Sequence, residues 1–130
     1  MESLVIADTD VIIDFFADKP PLAGDVEDLL REGRLALSAL SVFELYAGIV
    51  GTKRLRQIEI LLENLPVLPL DLMAAAYAGK IYTDSKARGA TVGNQDILIA
   101  GTCLANSLPL LTRNSPHFSK IKGLVLYGRS

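Results

Sequence analysis

The stretch from Val5 to Ile12 constrains the fold of this chain more than any other. It opens with Val5-Ile6-Ala7, a short aliphatic run without polar alternation, which is typical of a strand buried on both faces of a parallel sheet. The run ends on Asp8, and a helical pattern follows. In an open parallel sheet the carboxyl ends of the strands meet at one edge, where ligands bind. We therefore expect Asp8 to mark the functional edge of the sheet.

The rest of the chain repeats this alternation of short apolar runs and helical patterns. The predicted strands are 3–7, 35–38, 66–68, 108–112 and 124–127. The predicted helices are 11–17, 22–32, one that begins at 41, 53–62, 72–87 and 95–104. This order predicts a single domain over 1–130 with a three-layer α/β/α fold. Its mostly parallel five-stranded sheet should have the first strand at its centre and the proline-flanked third strand at an edge.

Helix ends carry their own signals. Asp10 is the expected N-cap of the first helix, and Ser41 with Glu44 three residues later fits a capping box. Asp71 is the expected cap of the helix 72–87, whose alanines 74–76 and Gly79 predict a close backbone approach to a neighbouring element.

Composition excludes several classes of protein. Half of the 130 residues are hydrophobic and 22% are charged, a balance that favours a globular chain over a disordered one. The single cysteine, Cys103, rules out an internal disulfide or a cysteine-based zinc site and favours the reducing cytoplasm. The N-terminus has neither a signal peptide pattern nor a membrane span. A net charge of −2 argues against a broad basic nucleic-acid surface, though not against a local basic rim around a metal-neutralised acidic site.

Several acids stand at the expected edge of the sheet. Each has an ordinary structural role open to it: Asp8 or Asp10 as a cap, and Asp96 as a first-turn carboxylate favoured by the helix dipole. Glu44 could be only the capping-box partner of Ser41. Together, however, several carboxylates in close proximity are unfavourable unless a cation neutralises them. Carboxylates without histidine or thiolate neighbours suit Mg²⁺ or Mn²⁺, ions that enzymes use on phosphate substrates.

Four motifs occur in a particular order along the chain. They are Asp8-Thr9-Asp10, then Ser41-Val42-Phe43-Glu44-Leu45-Tyr46-Ala47-Gly48, then Asp96-Ile97-Leu98-Ile99-Ala100, then Leu111-Thr112-Arg113-Asn114 with Phe118. In order and spacing, from Leu4 to about Leu126, the chain resembles the PIN-domain ribonucleases. Among these it is most similar to the VapC-type toxins of prokaryotic toxin–antitoxin pairs.

This resemblance implies a PIN-like fold and endonucleolytic cleavage of RNA that depends on Mg²⁺ or Mn²⁺. It makes Asp8, Glu44 and Asp96 the metal-binding acids, and it implies a small antitoxin protein that occludes the site. The chemistry can also be stated without the family. An ion held by these acids would bind a phosphate oxygen and activate a water, which Thr112 or Asn114 would hold in place.

Two departures from the family pattern affect this assignment. Asn114 and His117 stand at positions where the family often has an aspartate. Asn114 can still coordinate an ion through its amide oxygen or orient a water, but it brings no charge. Asp10 stands where the family commonly has Asn or Ser; it is interpreted as a helix cap, with replacement of the missing charge as the alternative. His117 is interpreted as a local hydrogen-bonding residue, with a role as catalytic acid as the alternative.

Basic residues near the expected edge are candidates for contacts with the substrate. Arg113 is adjacent to the proposed site, and Lys86 and Arg88 lie near a helix end. Such charges usually form a solvated face. Some of them should nevertheless guide the phosphate backbone of RNA, because an acidic site needs nearby cations to attract a polyanion.

Other functions remain open from the residues alone. Asp8-Thr9-Asp10 superficially matches the Asp-x-Asp motif of haloacid-dehalogenase-like phosphatases, but Ile12 stands where a threonine is needed. A receiver domain would need an aspartate after the third strand, where this chain has Leu68-Pro69. Because Asn114 leaves the site one acid short, a catalytically silent module that acts by binding a partner is a further alternative.

Two interaction surfaces are also predicted. The helices between 71 and 87 and between 41 and 62 have more small and apolar residues than one sheet face needs, which predicts a homodimer. An apolar groove beside the helices 10–17 and 53–62 is expected to receive an amphipathic helix of the antitoxin.

Overall fold

The computed structural model describes residues 3–90 and 92–128. Its strands are β1 (Val5–Ala7), β2 (Leu35–Ser38), β3 (Val67–Leu68) and β4 (Leu110–Leu111). Its helices are α1 (Thr9–Phe16), α2 (Leu22–Arg31), α3 (Ala39–Ala47), α4 (Gly51–Leu62), α5 (Leu72–Ala87), α6 (Asn94–Asn106) and α7 (Ser115–Phe118). The short helix α7 was not predicted, although Asn114-Ser115-Pro116 is a typical helix start. No helix of the described ranges is long and apolar enough to cross a bilayer.

The four strands form one sheet in the order β3-β2-β1-β4, and all paired strands are parallel. The central position of β1 and the edge position of β3 confirm the prediction. Val5 and Ala7 of β1 face one apolar core with α1, α2 and α4, whereas Ile6 faces a second core with α5 and α6. The predicted three-layer α/β/α fold is therefore confirmed.

The predicted fifth strand at 124–127 is wrong. Within the described residues this segment is reduced to one isolated parallel bridge between Leu110 and Leu126. The Leu110 N–H donates to Val125 and its carbonyl accepts from Tyr127, at 2.9 and 2.8 Å. The ladder cannot continue towards Leu108, because the Leu108 N–H donates to the carbonyl of Cys103 at the end of α6, at 3.0 Å.

Two of the predicted caps are also wrong. The N-cap of α1 is Asp8, not Asp10, since the Asp8 carbonyl already accepts the N–H of Ile12 in the first helical turn. The N-cap of α3 is Ser38, whose hydroxyl accepts the Ser41 N–H at 3.1 Å. Ser41 and Glu44 therefore form no capping box. In both cases the helix starts directly where the strand ends, two or three residues earlier than the pattern suggested.

The predicted cap of α5 is confirmed, and glycines follow two of the helices. Asp71 caps α5 by accepting the Ala74 N–H at 3.0 Å. Gly33 and Gly89 follow α2 and α5 with φ of 69°, the left-handed conformation expected at a helix C-terminus.

A close approach between α5 and α6 joins the two helices of the second core. A Cβ atom at Gly101 of α6 would lie 2.6 Å from the Ala74 carbonyl oxygen and 2.9 Å from the Ala78 Cβ. The predicted close packing of α5 is thus confirmed at Ala74, but Gly79 has no neighbour within 4 Å of such a Cβ and takes no part. Cys103 is buried beside this contact, and burial raises the pKa of its thiol to about 12, so the thiol serves packing.

The glycines of α5 and α6 make a matched test of this contact. Gly101→Ala should lower the free energy of unfolding by about 1–3 kcal/mol, because the methyl group meets backbone atoms of α5 that cannot move freely. Gly79→Ala should raise it by about 0.5–1 kcal/mol, because alanine favours the helix and the site is open. Urea denaturation measures both. Equal effects of the two substitutions would contradict this packing of α5 on α6.

Candidate active site at the carboxyl edge of the sheet

Asp8 occupies the end of the central strand, in line with the ends of its two neighbours. The pairing of Ile6 with Ala36 and of Ala7 with Leu111 places Ser38 and Thr112 beside it. The Asp8 N–H donates to the Leu111 carbonyl at 2.9 Å, and the Thr112 hydroxyl donates to Asp8 Oδ2 at 3.0 Å. The chain leaves β1 towards β2 and returns on the other side at β4, so Asp8 lies at the switch point where α/β sheets bind ligands.

The Asp8 carboxylate is nearly buried, with 7% of the residue exposed. The pKa of Asp8 is raised from its usual 3.8 to about 6, mainly by burial and to a smaller extent by the charges of Asp96 and Asp10. The hydroxyl of Thr112 and the N–H of Thr9 lower it in part, because both donate to the carboxylate. Asp8 is therefore held charged at neutral pH at a cost that a nearby cation would offset.

Glu44 of α3 reaches the residue next to Asp8. The Thr9 hydroxyl donates to Glu44 Oε1 at 2.6 Å, and Thr9 Oγ1 lies 3.0 Å from the Ser41 hydroxyl. The Ser38 hydroxyl follows, 3.3 Å from that of Ser41. The sequence reasoning missed the role of Thr9 and Ser38, although hydroxyl side chains at the ends of both strands were a signal. Glu44 is thus held by Thr9, the residue that follows Asp8.

Asp96 lies in the first turn of α6, as predicted. Its Oδ2 is 3.2 Å from Nδ1 of His117 in α7, and its charge acts on Asp8. His117 is exposed, and this contact places its ring next to an acid of the candidate site.

Thr112 and Asn114 form one tight turn after β4. The Asn114 N–H donates to the Thr112 hydroxyl oxygen at 3.0 Å, while the same hydroxyl donates to Asp8. The Asn114 side chain makes no capping bond to α7 and is exposed. Its amide is therefore free to hold a water at the edge.

Arg113 is held by two acids of α1. Its guanidinium contacts Asp14 at 2.8 Å and Asp10 at 3.3 Å. Asp14 is buried and was missed by the sequence reasoning; the signal was an isolated acid inside the apolar run of α1. The contact with Arg113 gives Asp10 a role other than a cap. Lys86 lies in the last turn of α5 and Arg88 at its C-cap, where Arg88 Nη2 donates to the Lys120 carbonyl at 3.2 Å.

The side chains of this edge suit a hard cation, because most of their possible ligand atoms are carboxylate oxygens. The charges of Asp96 and Asp10 oppose ionisation of Asp8, and a cation would offset that effect. Within residues 3–90 and 92–128, however, no three acid, histidine or cysteine side chains are close enough together to form a metal site. Glu44 is turned to Thr9, and Asp96 to His117. An ion at Asp8 would therefore require at least one of these two carboxylates to turn towards it.

The raised pKa of Asp8 predicts how the protein responds to pH. Between pH 3.8 and about 6 the folded protein binds a proton that the unfolded chain has lost. This proton uptake stabilises the folded protein by about 3 kcal/mol relative to high pH. The stabilisation is fully present below pH 3.8 and is lost as the pH rises through about 6. In EDTA at pH 8, Asp8→Asn should therefore be more stable than the wild type, and the difference should shrink towards pH 4.

Urea denaturation across this range measures the effect. Asp14→Asn is the matched control, because it also neutralises a buried acid of this edge but deprives Arg113 of its closest partner. It should lower stability at pH 8. An Asp8→Asn protein less stable than the wild type at pH 8 would contradict the account of Asp8.

Comparison with known proteins identifies the family. A family model, that of the PIN domain, matches residues 5–124. The chain is 31% identical to Ribonuclease VapC1 of Methanocaldococcus jannaschii, over 98% of this chain and 90% of the relative.

Solved structures agree in fold. A crystal structure of VapBC2 from Rickettsia felis, bound to a DNA fragment from their promoter, has a TM-score of 0.85 at 22% identity and covers 98% of this chain and 99% of the other. The structure of VapBC-1 from nontypeable Haemophilus influenzae has a TM-score of 0.79 at 28% identity, covering 95% and 96%. With almost its whole length matched, this chain belongs to the PIN-domain family and, within it, to the VapC-type ribonucleases.

Proposed function

We propose that this protein is a metal-dependent endoribonuclease and the toxin of a toxin–antitoxin pair, cleaving RNA at the edge formed by Asp8, Glu44 and Asp96. The observation that supports this most is the buried carboxylate of Asp8 at the switch point of the sheet, with the charges of Asp96 and Asp10 raising its pKa. A carboxylate placed in this way in a VapC-type chain serves binding of a cation better than it serves folding.

Asp8, Glu44 and Asp96 would hold the ion, Mg²⁺ or Mn²⁺. When bound, such an ion neutralises phosphate charge and lowers the pKa of a water. The chain's own contribution is positioning. The Thr112 hydroxyl and the Thr9 N–H each donate to a different oxygen of Asp8, which fixes the plane of the carboxylate.

The other residues of the edge have complementary parts in this proposal. The Thr9 hydroxyl keeps Glu44 at the edge, and the His117 ring holds one oxygen of Asp96 and leaves the other open. The exposed amide of Asn114 would orient the attacking water. Arg113 would contact a phosphate by exchanging the exposed Asp10 for RNA, while Asp14 keeps it in place.

A catalytically silent module that acts by binding a partner is the second candidate. It is favoured by the absence of a three-ligand group from the described part of the chain and by the neutral Asn114. RNA cleavage by a Glu44 variant separates it from the nuclease.

The antitoxin would bind on the face opposite α5. A groove of about 600 Å³ opens between α1, α2 and α4, lined by Phe15, Phe16, Leu30, Ile60 and Leu61 with polar residues at its rim. It adjoins the predicted position beside α1 and α4. An amphipathic helix would bury its apolar side there. The similar solved structures are of VapBC2 and VapBC-1, which supports a protein partner.

The protein is further proposed to form a homodimer. Large apolar side chains are exposed on α3, on β3, in the segment between β3 and α5, and on the first turn of α5, namely Phe43, Tyr46, Val67, Leu70, Leu72 and Met73. Exposed apolar groups in such number mark an interaction surface. A second copy would cover them.

Glu44→Gln tests the catalytic assignment. The Thr9 hydroxyl can still donate to the glutamine carbonyl, so the fold should persist. RNA cleavage in Mn²⁺ should fall by at least about 100-fold, more than the loss typical of residues that only support a ligand. Stabilisation by added Mg²⁺ should shrink as well. Glu59→Gln removes the same charge from the exposed side of α4 and should change neither. Cleavage at the wild-type rate by Glu44→Gln would favour the silent module.

Ile60→Glu tests the groove. Ile60 is 52% exposed and lines it. A charge there should weaken binding of the cognate antitoxin by at least about tenfold, because burying an unpaired charge at an interface is strongly unfavourable. RNA cleavage without antitoxin should be unchanged. Val125→Glu places the same charge at an exposed apolar residue outside the groove (63% exposed) and should bind normally. Equal affinities of the two variants, by calorimetry, would contradict the assigned groove.

A further inference from the structure

Charge is divided unevenly along this chain. Residues 1–71 have thirteen acidic and six basic side chains, whereas 72–128 have two acidic and six basic ones. The modest net charge of −2 therefore conceals a basic part made of α5, α6, β4 and α7. A polyanion would approach the molecule from that side.

A cleft of about 450 Å³ lies in the basic part, between the second half of α5 and the segment after α7. Lys80 and Arg88 line it from α5, and Lys122 faces them from the other wall. The cleft adjoins a smaller hollow of about 260 Å³ that shares Arg88 and Lys122. Two walls thus direct cations into one concave surface.

These cations are available to a ligand. Asp84 is the one acid among the described residues that line the cleft, yet in the described part of the chain no ion pair involves Lys80, Arg88 or Lys122. Lys80, Asp84 and Arg88 follow each other at four-residue intervals, which places them on one side of α5. The cleft therefore has an excess of positive charge that the protein itself does not neutralise.

The floor of the cleft is apolar and has an aromatic ring at one end. Ile81 and Ile121 contribute aliphatic surface, and Tyr77 is 39% exposed there. Cations that track a backbone beside a ring that accepts a base are the features by which proteins bind single-stranded nucleic acid.

The cleft is connected to the acidic edge by α7. His117 of α7 contacts Asp96 at 3.2 Å, and three residues later the Lys120 carbonyl accepts from Arg88 at 3.2 Å. An RNA strand that enters the cleft therefore needs to pass only this one-turn helix to reach the acidic edge.

We propose that the cleft between α5 and the 119–123 segment binds a single-stranded part of the RNA substrate away from the cleaved bond, with phosphates at Lys80, Arg88 and Lys122 and a base at Tyr77. This rests on the proposed ribonuclease function. It assigns to the chain a second substrate contact that determines affinity and the minimum length of RNA bound.

The test measures binding apart from cleavage. Fluorescence anisotropy of a labelled single-stranded oligouridylate RNA is followed in EDTA between about 50 and 200 mM salt. Lys80→Gln/Lys122→Gln should weaken binding on the order of tenfold and lower the slope of log K against log salt by about 1.4, or about 0.7 for each lost phosphate contact. Tyr77→Leu should weaken binding at least about fivefold without changing the slope.

The matched control is Lys53→Gln/Arg56→Gln, which removes two exposed charges from α4. It should keep the wild-type slope; the same loss of slope in both double variants would overturn the proposal. A change in the oligomeric state of the cleft variant would also overturn it, because the cleft would then be an interface between copies. Binding of duplex DNA as tight as that of the RNA, and equally dependent on the cleft residues, would overturn it as well. A wild type that fails to cleave RNA in Mn²⁺ while the slopes still differ would refute the nuclease function and support the binding cleft.

Discussion

The structure depends on a buried carboxylate at the end of its central strand. Asp8 ends β1, caps α1 and accepts a hydrogen bond from Thr112 after β4. One side chain thereby joins the strand, the helix and the neighbouring loop at the place where the topology reverses. Burial makes this carboxylate expensive to ionise, and the surrounding hydroxyl and amide donors offset only part of that cost. The fold is consequently built around a negative charge that it does not itself neutralise.

The other acids are held at that edge by small polar groups. Thr9 fixes Glu44, His117 fixes Asp96, and Asp14 fixes Arg113. Each of these acids thus has a polar partner of its own at the edge. The rest of the molecule divides its surface accordingly. In the functions proposed above, the apolar groove of the acidic first part would receive a protein partner, and the cationic cleft of the basic second part would receive RNA.

Much of this was accessible from the sequence. Val5-Ile6-Ala7 with Asp8 predicted the central strand and the functional edge, because a short, fully apolar run is typical of a strand buried on both faces and an acid at its end falls at the sheet's edge. The predicted cap of α1 was wrong because Asp8 and Asp10 both fit a helix start. Which of them caps the helix depends on the Asp8 N–H, which pairs with Leu111 across the sheet. Contacts between residues far apart in the sequence could not be predicted either, because they depend on how the elements pack. The role of Gly101 becomes apparent only once α5 packs against it.

Anomalous diffraction from crystals soaked in Mn²⁺ tests the central claim most directly. The account predicts a manganese peak at about 2.0–2.2 Å from a carboxylate oxygen of Asp8, with the carboxylate of Asp96 or Glu44 turned towards it from its present partner. The peak should disappear in Asp8→Asn crystals. A manganese peak remote from Asp8, in crystals of a protein that cleaves RNA, would contradict the account.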